Sequence, residues 1–157
     1  MKRRILFFLS ALLTAAVLVV IFCFSAQPAS QSNQVSGSLT ARLMHLLPSL
    51  TRNCTQGELN HLLRKAAHFT LYFLLGCGLS GMLWAGRKRA LPLLAVPLGA
   101  LCAALDEWHQ SFVPGRGPLL RDVVLDTCGV AAAALLLFVF SWLLKKRHGG
   151  SAGNGPA

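Results

Sequence analysis

Charge is what this sequence has least of. Charged residues make up 13% of the 157-residue chain, against about 25% in a typical soluble domain. Acidic residues are scarcer still, with five Asp and Glu against fifteen Lys and Arg. Mean hydropathy is +0.56. A protein so poor in charge presents much of its surface to lipid, and the length suits one domain. No CxxC pair occurs among the five cysteines, so zinc ribbons and thioredoxin-like motifs are unsupported. Cys23, Cys77, Cys102 and Cys128 each lie in a different apolar stretch, and Cys54 stands alone in a polar one. They read as small packing residues, not as a disulfide framework.

The net charge of +10 invites a nucleic-acid reading. The distribution excludes it. Nine of the fifteen basic residues form three clusters at the ends of apolar stretches: Lys2-Arg3-Arg4, Arg87-Lys88-Arg89 and Lys145-Lys146-Arg147. Nucleic-acid binders gather basic residues on one face or stripe. Clusters at span ends instead mark the cytoplasmic side of a membrane.

The apolar runs predict an all-α polytopic membrane protein of four transmembrane helices, at about 5–24, 64–84, 91–111 and 121–144. The first holds twenty uncharged residues, enough to cross a hydrocarbon core. It is longer than a signal-peptide core, and Phe24 sits where cleavage after Ala26 needs a small residue. A retained anchor is expected. Residues 25–54 read as a polar outer loop, in which Leu39, Leu43, Leu46, Leu47 and Leu50 suggest a short interfacial helix. Thr55 and Glu58 have capping-box spacing, so a helix starts near Gln56. Pro92 suits a first turn, and Pro97 predicts a kink in the third span. Residues 113–118, rich in Pro and Gly, predict a turn. With the N-terminus inside, inner segments carry nine Lys/Arg and no acid, while outer ones carry six Lys/Arg and all five acids. Both termini are therefore expected in the cytoplasm. Residues 1–148 form the single membrane domain, and 149–157 read as a disordered tail.

The polar residues of the spans fall at their outer ends. Lys65, His68 and Tyr72 share a helical face, which Gly76 and Ser80 continue. Ala95, Gly99 and Ala103 lead to Glu107; Leu98, Cys102, Asp106 and Gln110 form the neighbouring stripe; Asp122, Asp126, Gly129 and Ala133 share a face. Packing the small residues together gathers the polar ends into one outward-opening pocket. Its expected binding residues are Lys65, His68, Tyr72, Asp106, Glu107, Gln110, Arg116, Asp122 and Asp126. A charge at membrane depth is costly, so Asp126 needs a partner; Arg116, Arg121, Lys65 and His68 are the candidates.

Several chemistries fit. His68 beside a carboxylate can act as general acid or base, making His68, Asp106, Glu107 and Asp122 the catalytic candidates. Arg116 and Lys65 can hold a phosphate or carboxylate. A Ser–His–Asp triad would draw on Ser25 or Ser36, but no GxSxG elbow is present. The carboxylates with His68 or His109 offer ligands to a divalent cation. No standard ligand motif occurs, so neither metal nor organic cofactor is expected. Each residue also has a plainer role. Arg64, Lys65 and Arg121 can anchor helix ends at headgroups, and Tyr72 and Trp108 can sit in an aromatic belt.

Four passages resemble the VanZ-like family of bacterial membrane proteins. They are Phe24-Ser25-Ala26-Gln27 with Ser32 and Ser36, the run from His61 to Phe69 followed by Tyr72, the run from Asp106 to Arg116, and the run from Asp122 to Gly129. Leu71 stands where the family often has Glu, and Ala133 where a second Gly is common. The resemblance implies a multi-pass protein of the bacterial cell membrane. The family's namesake is associated with low-level resistance to the glycopeptide teicoplanin, and no reaction is inherited from it. The expected partners are membrane lipids and a lipid-linked cell-wall precursor or glycopeptide. An outward pocket that binds such a molecule, and an enzyme acting on a lipid-linked or cell-wall substrate, are the two rival readings. In a third, the polar residues only knit the helices together.

Overall fold

The computed structural model describes residues 1–86 and 92–149. Arg87-Lys88-Arg89, the expected inner boundary of the second span, lie outside the described residues, as do Leu91 and tail residues 150–157. The described residues are all-helical. Helix α1 runs Lys2–Ser25, α2 Ala29–Leu46, α3 Pro48–Thr51 and α4 Gln56–Ala85. A 3₁₀ turn at Pro92–Leu94 then leads into α5, Ala95–Gln110, and α6 spans Leu120–Gly149.

Helix α4 is central and packs against α1, α2, α5 and α6. Its start is the predicted capping box: Glu58 N–H donates to Thr55 Oγ1 at 3.3 Å, and Thr55 N–H donates to Glu58 Oε2 at 2.9 Å. Two otherwise unsatisfied helix-end donors are thereby bonded.

The interior is narrow and built from small residues. A Cβ added at Gly76 of α4 would lie 2.9 Å from Ala133 Cβ and from Val130 Cα and O of α6. One added at Gly129 would lie 2.7 Å from the Phe69 carbonyl oxygen. These two helices therefore approach backbone to backbone, as small residues permit in lipid. Tyr72, Leu75, Ala95, Ala103 and Val130 are fully buried around this contact. On α1, the buried residues Ser10, Thr14, Val17, Ile21 and Ser25 recur at helical spacing and face α4. The predicted small-residue stripes are therefore the packing surfaces.

Large apolar side chains point outward instead. Phe8 and Leu12 are each 68% exposed, and Leu101, Leu136 and Phe140 are exposed on α5 and α6. A continuous apolar exterior of this kind marks contact with a non-aqueous phase. Helices α1, α4 and α6 as far as Leu143 are each long and apolar enough to cross a membrane.

Two expectations change. Residues 25–54 are mostly helix, because α2 begins at Ala29, ten residues before the leucine stripe. Its inner face carries Ser32, Ser36 and the fully buried Thr40, with Ser36 and Thr40 hydroxyls donating to the carbonyls four residues back. Pro97 produces no kink within a helix. The chain changes from 3₁₀ to α at Ala95, which puts Pro97 in the first turn of α5, where its missing N–H breaks no helical bond.

Candidate functional site

The polar ends of α4, α5 and α6 converge, each positioned by the small-residue contact below it. Lys65 of α4 donates through Nζ to Asp122 Oδ1 of α6. One turn deeper, His68 Nδ1 lies 3.5 Å from Asp126 Oδ2. That is an ion-pair distance rather than a formed hydrogen bond. Asp126 is fully buried, and neither of its oxygens has a hydrogen-bond partner. Of the four partners the sequence offers Asp126, the structure selects His68. The carboxylate facing His68 is accordingly Asp126, while Asp122 is engaged by Lys65 and Glu107 Oε2 accepts the Leu119 N–H at 2.8 Å.

On α5, Gln110 links two elements. Its Nε2 donates to Asp106 Oδ2 at 2.8 Å and to Ser25 Oγ of α1 at 3.3 Å. Its Oε1 accepts from Arg116 at 3.1 Å, and the same guanidinium donates to the Phe24 carbonyl at 2.9 Å. Arg116 reaches back because residues 113–116 turn sharply. Arg116 N–H bonds the Val113 carbonyl at 3.1 Å, and Gly115 takes a φ of 75°, the left-handed region that glycine enters without strain. The turn is pinned to α2 by the Ala29 N–H, which donates to the Pro114 carbonyl at 3.2 Å. Burial lowers the Arg116 pKa from its ordinary value, and the charge of Arg64 lowers it further.

A cavity of about 270 Å³ opens between α1, α2, α4 and this turn. Ile21, Phe24, Val35, Leu39, Leu63 and Leu71 supply apolar wall, while Ser25, Ser32, Ser36, Arg64, His68 and Arg116 supply its polar groups. Arg64 donates to Asn33 Oδ1 at 3.1 Å. Among the described residues, neither Arg64 nor Arg116 is paired with a carboxylate.

A shallower groove of about 500 Å³ runs between α1 and α5, lined by Phe22, Tyr72, Asp106 and His109 among others. His109 stacks on Phe22 with ring centroids 4.9 Å apart. Tyr72 is fully buried with no partner for its hydroxyl.

Of the predicted site residues, His68 and Arg116 line the first cavity, and Tyr72 and Asp106 line the groove. Gln110 holds Asp106 and Arg116, Asp126 faces His68, and the Lys65–Asp122 and Glu107–Leu119 contacts lie beside them. Sequence reasoning missed the contribution of α2. Ser32, Ser36 and Thr40 recur every four residues, a helical signal hidden in a segment that composition marks as loop. Arg64, which can anchor a helix end at headgroups, also borders the cavity.

A profile of the family described as VanZ/LLP1 matches residues 8–141. The chain belongs to the VanZ/LLP1 family. No curated protein and no solved structure matches it. The matched stretch contains every residue of the network above, from Ser25 to Asp126. Family membership and the apolar helices together make the chain a membrane protein of VanZ type.

Proposed function

We propose that this VanZ-type protein crosses the bacterial cell membrane four times, with both termini in the cytoplasm, and binds an anionic amphiphile of the cell envelope in its outward-facing cavity. The observation that carries the binding reading is the pair Arg64 and Arg116, guanidinium groups without carboxylate partners among the described residues, beside apolar walls. Guanidinium groups suit phosphate and carboxylate, and the apolar walls suit an acyl or prenyl chain. The volume lies near the lower end of small-molecule sites, about 300 Å³.

The fourth crossing depends on α5. Sixteen α-helical residues rise about 24 Å, and the preceding 3₁₀ turn adds about 6 Å. The sum approximates a hydrocarbon core of about 30 Å. Orientation follows from the basic clusters, which fall at alternate ends of the spans. Membrane-impermeant maleimide should label Cys54 in intact spheroplasts, and Cys54→Ser/Lys146→Cys more strongly than Cys54→Ser only after permeabilisation. The opposite pattern inverts the topology.

The binding reading is tested on lipids that co-purify from native membranes. Wild type should retain phosphate-bearing amphiphiles that Arg64→Gln/Arg116→Gln loses. Identical lipid profiles from folded proteins overturn it. The family association adds a cellular test, teicoplanin susceptibility in a Gram-positive host at matched protein levels. Protection by wild type but not by His68→Ala ties the cavity to a glycopeptide-linked role. No protection detaches this member from resistance.

A second reading, an enzyme acting on a lipid-linked substrate, is favoured by one observation: His68 borders the cavity with Asp126 behind it. A carboxylate so placed orients an imidazole for proton transfer. A pH–rate profile for polyprenyl phosphate turnover that is unmoved by His68→Gln removes His68 as its acid or base, and no turnover by wild type sinks the reading.

A further inference from the structure

We propose that His68, Asp106 and Asp126 form a binding site for a divalent transition-metal ion. The three residues come from three helices, α4, α5 and α6, and the donor atoms they offer lie within 4.8 Å of one another. Ligands about 2.0–2.2 Å from a Zn²⁺-sized ion sit roughly 3–4 Å apart. Small side-chain rotations therefore close the set without moving a helix.

A cluster of this kind could be merely structural, but two features point to an ion. The first is Asp126, fully buried with both oxygens unpartnered, one of them facing His68. A buried carboxylate that accepts no hydrogen bond is costly even beside an imidazole. The second is the local charge. Among the described residues Asp106 is bonded only by the neutral amide of Gln110, and Lys65 is committed to Asp122. One imidazole therefore faces two buried carboxylates, and a divalent ion neutralises both while leaving the imidazole neutral. Tyr72, whose buried hydroxyl also lacks a partner, stands one turn from His68 on the same face of α4.

The donor set selects the class of ion. One imidazole with two carboxylates suits Zn²⁺ or Mn²⁺ better than Ca²⁺ or Mg²⁺, which favour all-oxygen cages. Three protein ligands leave coordination open for water or another oxygen donor. Gln110, bonded to Asp106, supplies the outer-shell support that orients a ligating carboxylate. The site rests on these donor atoms alone and does not depend on an anionic ligand in the cavity.

The test uses the full chain, stripped of metal in detergent without phosphate lipids. Mn²⁺ binding is read by electron paramagnetic resonance, with Zn²⁺ as competitor. Wild type should bind one Mn²⁺ per chain, displaced by Zn²⁺. Asp106→Asn and His68→Gln should each weaken binding by at least about tenfold. His61→Ala, an exposed histidine, and Arg64→Gln should leave it unchanged. Asp126→Asn counts only if it folds, and the other two variants decide the matter without it. Absence of saturable binding by wild type overturns the site. So does binding that survives both Asp106→Asn and His68→Gln, because the ion then sits elsewhere.

Discussion

His68 Nδ1 lies 3.5 Å from Asp126 Oδ2 across the contact between α4 and α6, and Asp126 has no exposed surface. Asp126 lies one turn above Gly129, whose close approach to α4 falls at Phe69 to Phe73, beside His68. Burial makes the pair consequential, since removing one member of a buried pair strands the other. His68→Ala should lower stability by up to about 3–5 kcal/mol, less the relief that water reaching the partly exposed imidazole position gives. A double-mutant cycle with Asp126→Asn should return a coupling of about 0.5–3 kcal/mol in thermal or denaturant melts. Additive losses would mean that the two side chains do not interact.

The glycine contact makes a second prediction. Gly76→Ala places a methyl group 2.9 Å from Ala133 Cβ and from the Val130 backbone. The helices must separate, at a cost of about 1–3 kcal/mol. Gly129→Ala should cost a similar amount, whereas Gly57→Ala, where nothing lies within 4 Å, should be tolerated. Melting temperatures in one detergent check this, and equal values for all three would contradict the close approach.

Much of this arrangement is visible in the sequence, because helical periodicity assigns each residue to a face. Gly76 and Ser80, Ala95 and Gly99, and Gly129 and Ala133 announce the packing surfaces, and the polar ends follow from them. Periodicity does not fix how one helix is rotated against another. Four carboxylates were therefore equally available to His68, and only the packed α4–α6 pair singles out Asp126. Helix α2 escaped for a different reason. Ser and Asn are middling helix formers, and this helix packs against α4 with Thr40 fully buried. The cavity wall it supplies is a tertiary feature, signalled locally by the four-residue spacing of Ser32, Ser36 and Thr40.

Lys65 and Asp122 make the third prediction. Their side chains are about a quarter exposed, 27% and 22%, so the bridge contributes modestly, about 0.2–1 kcal/mol. Asp122→Lys sets two ammonium groups together and should destabilise more than Asp122→Asn. The reversed pair Lys65→Asp/Asp122→Lys should recover most of that loss. Failure of the double variant to recover would mean that Asp122 serves the site in another way.

Arg116 ties the turn to the helices through Gln110 and the Phe24 carbonyl. Lysine has one ammonium in place of a planar fork and cannot hold both acceptors in that geometry. Arg116→Lys should therefore increase hydrogen exchange at residues 113–116 and at the Ala29 amide while preserving the local charge. Exchange rates equal to wild type would show that the turn is held without the guanidinium.

The most direct test of the central claim is a lipid titration of delipidated protein followed by native mass spectrometry. Phosphatidylglycerol and a polyprenyl phosphate are compared with phosphatidylcholine, for wild type and for Arg64→Gln/Arg116→Gln. An anion held by both guanidinium groups predicts that wild type binds at least one anionic amphiphile about tenfold or more tightly than the zwitterionic lipid, and that the double variant loses this preference. Preference for the polyprenyl phosphate would identify a lipid-linked carrier, and preference for phosphatidylglycerol a bulk lipid. Equal affinity for all three lipids, or a preference unchanged in the double variant, would contradict the account.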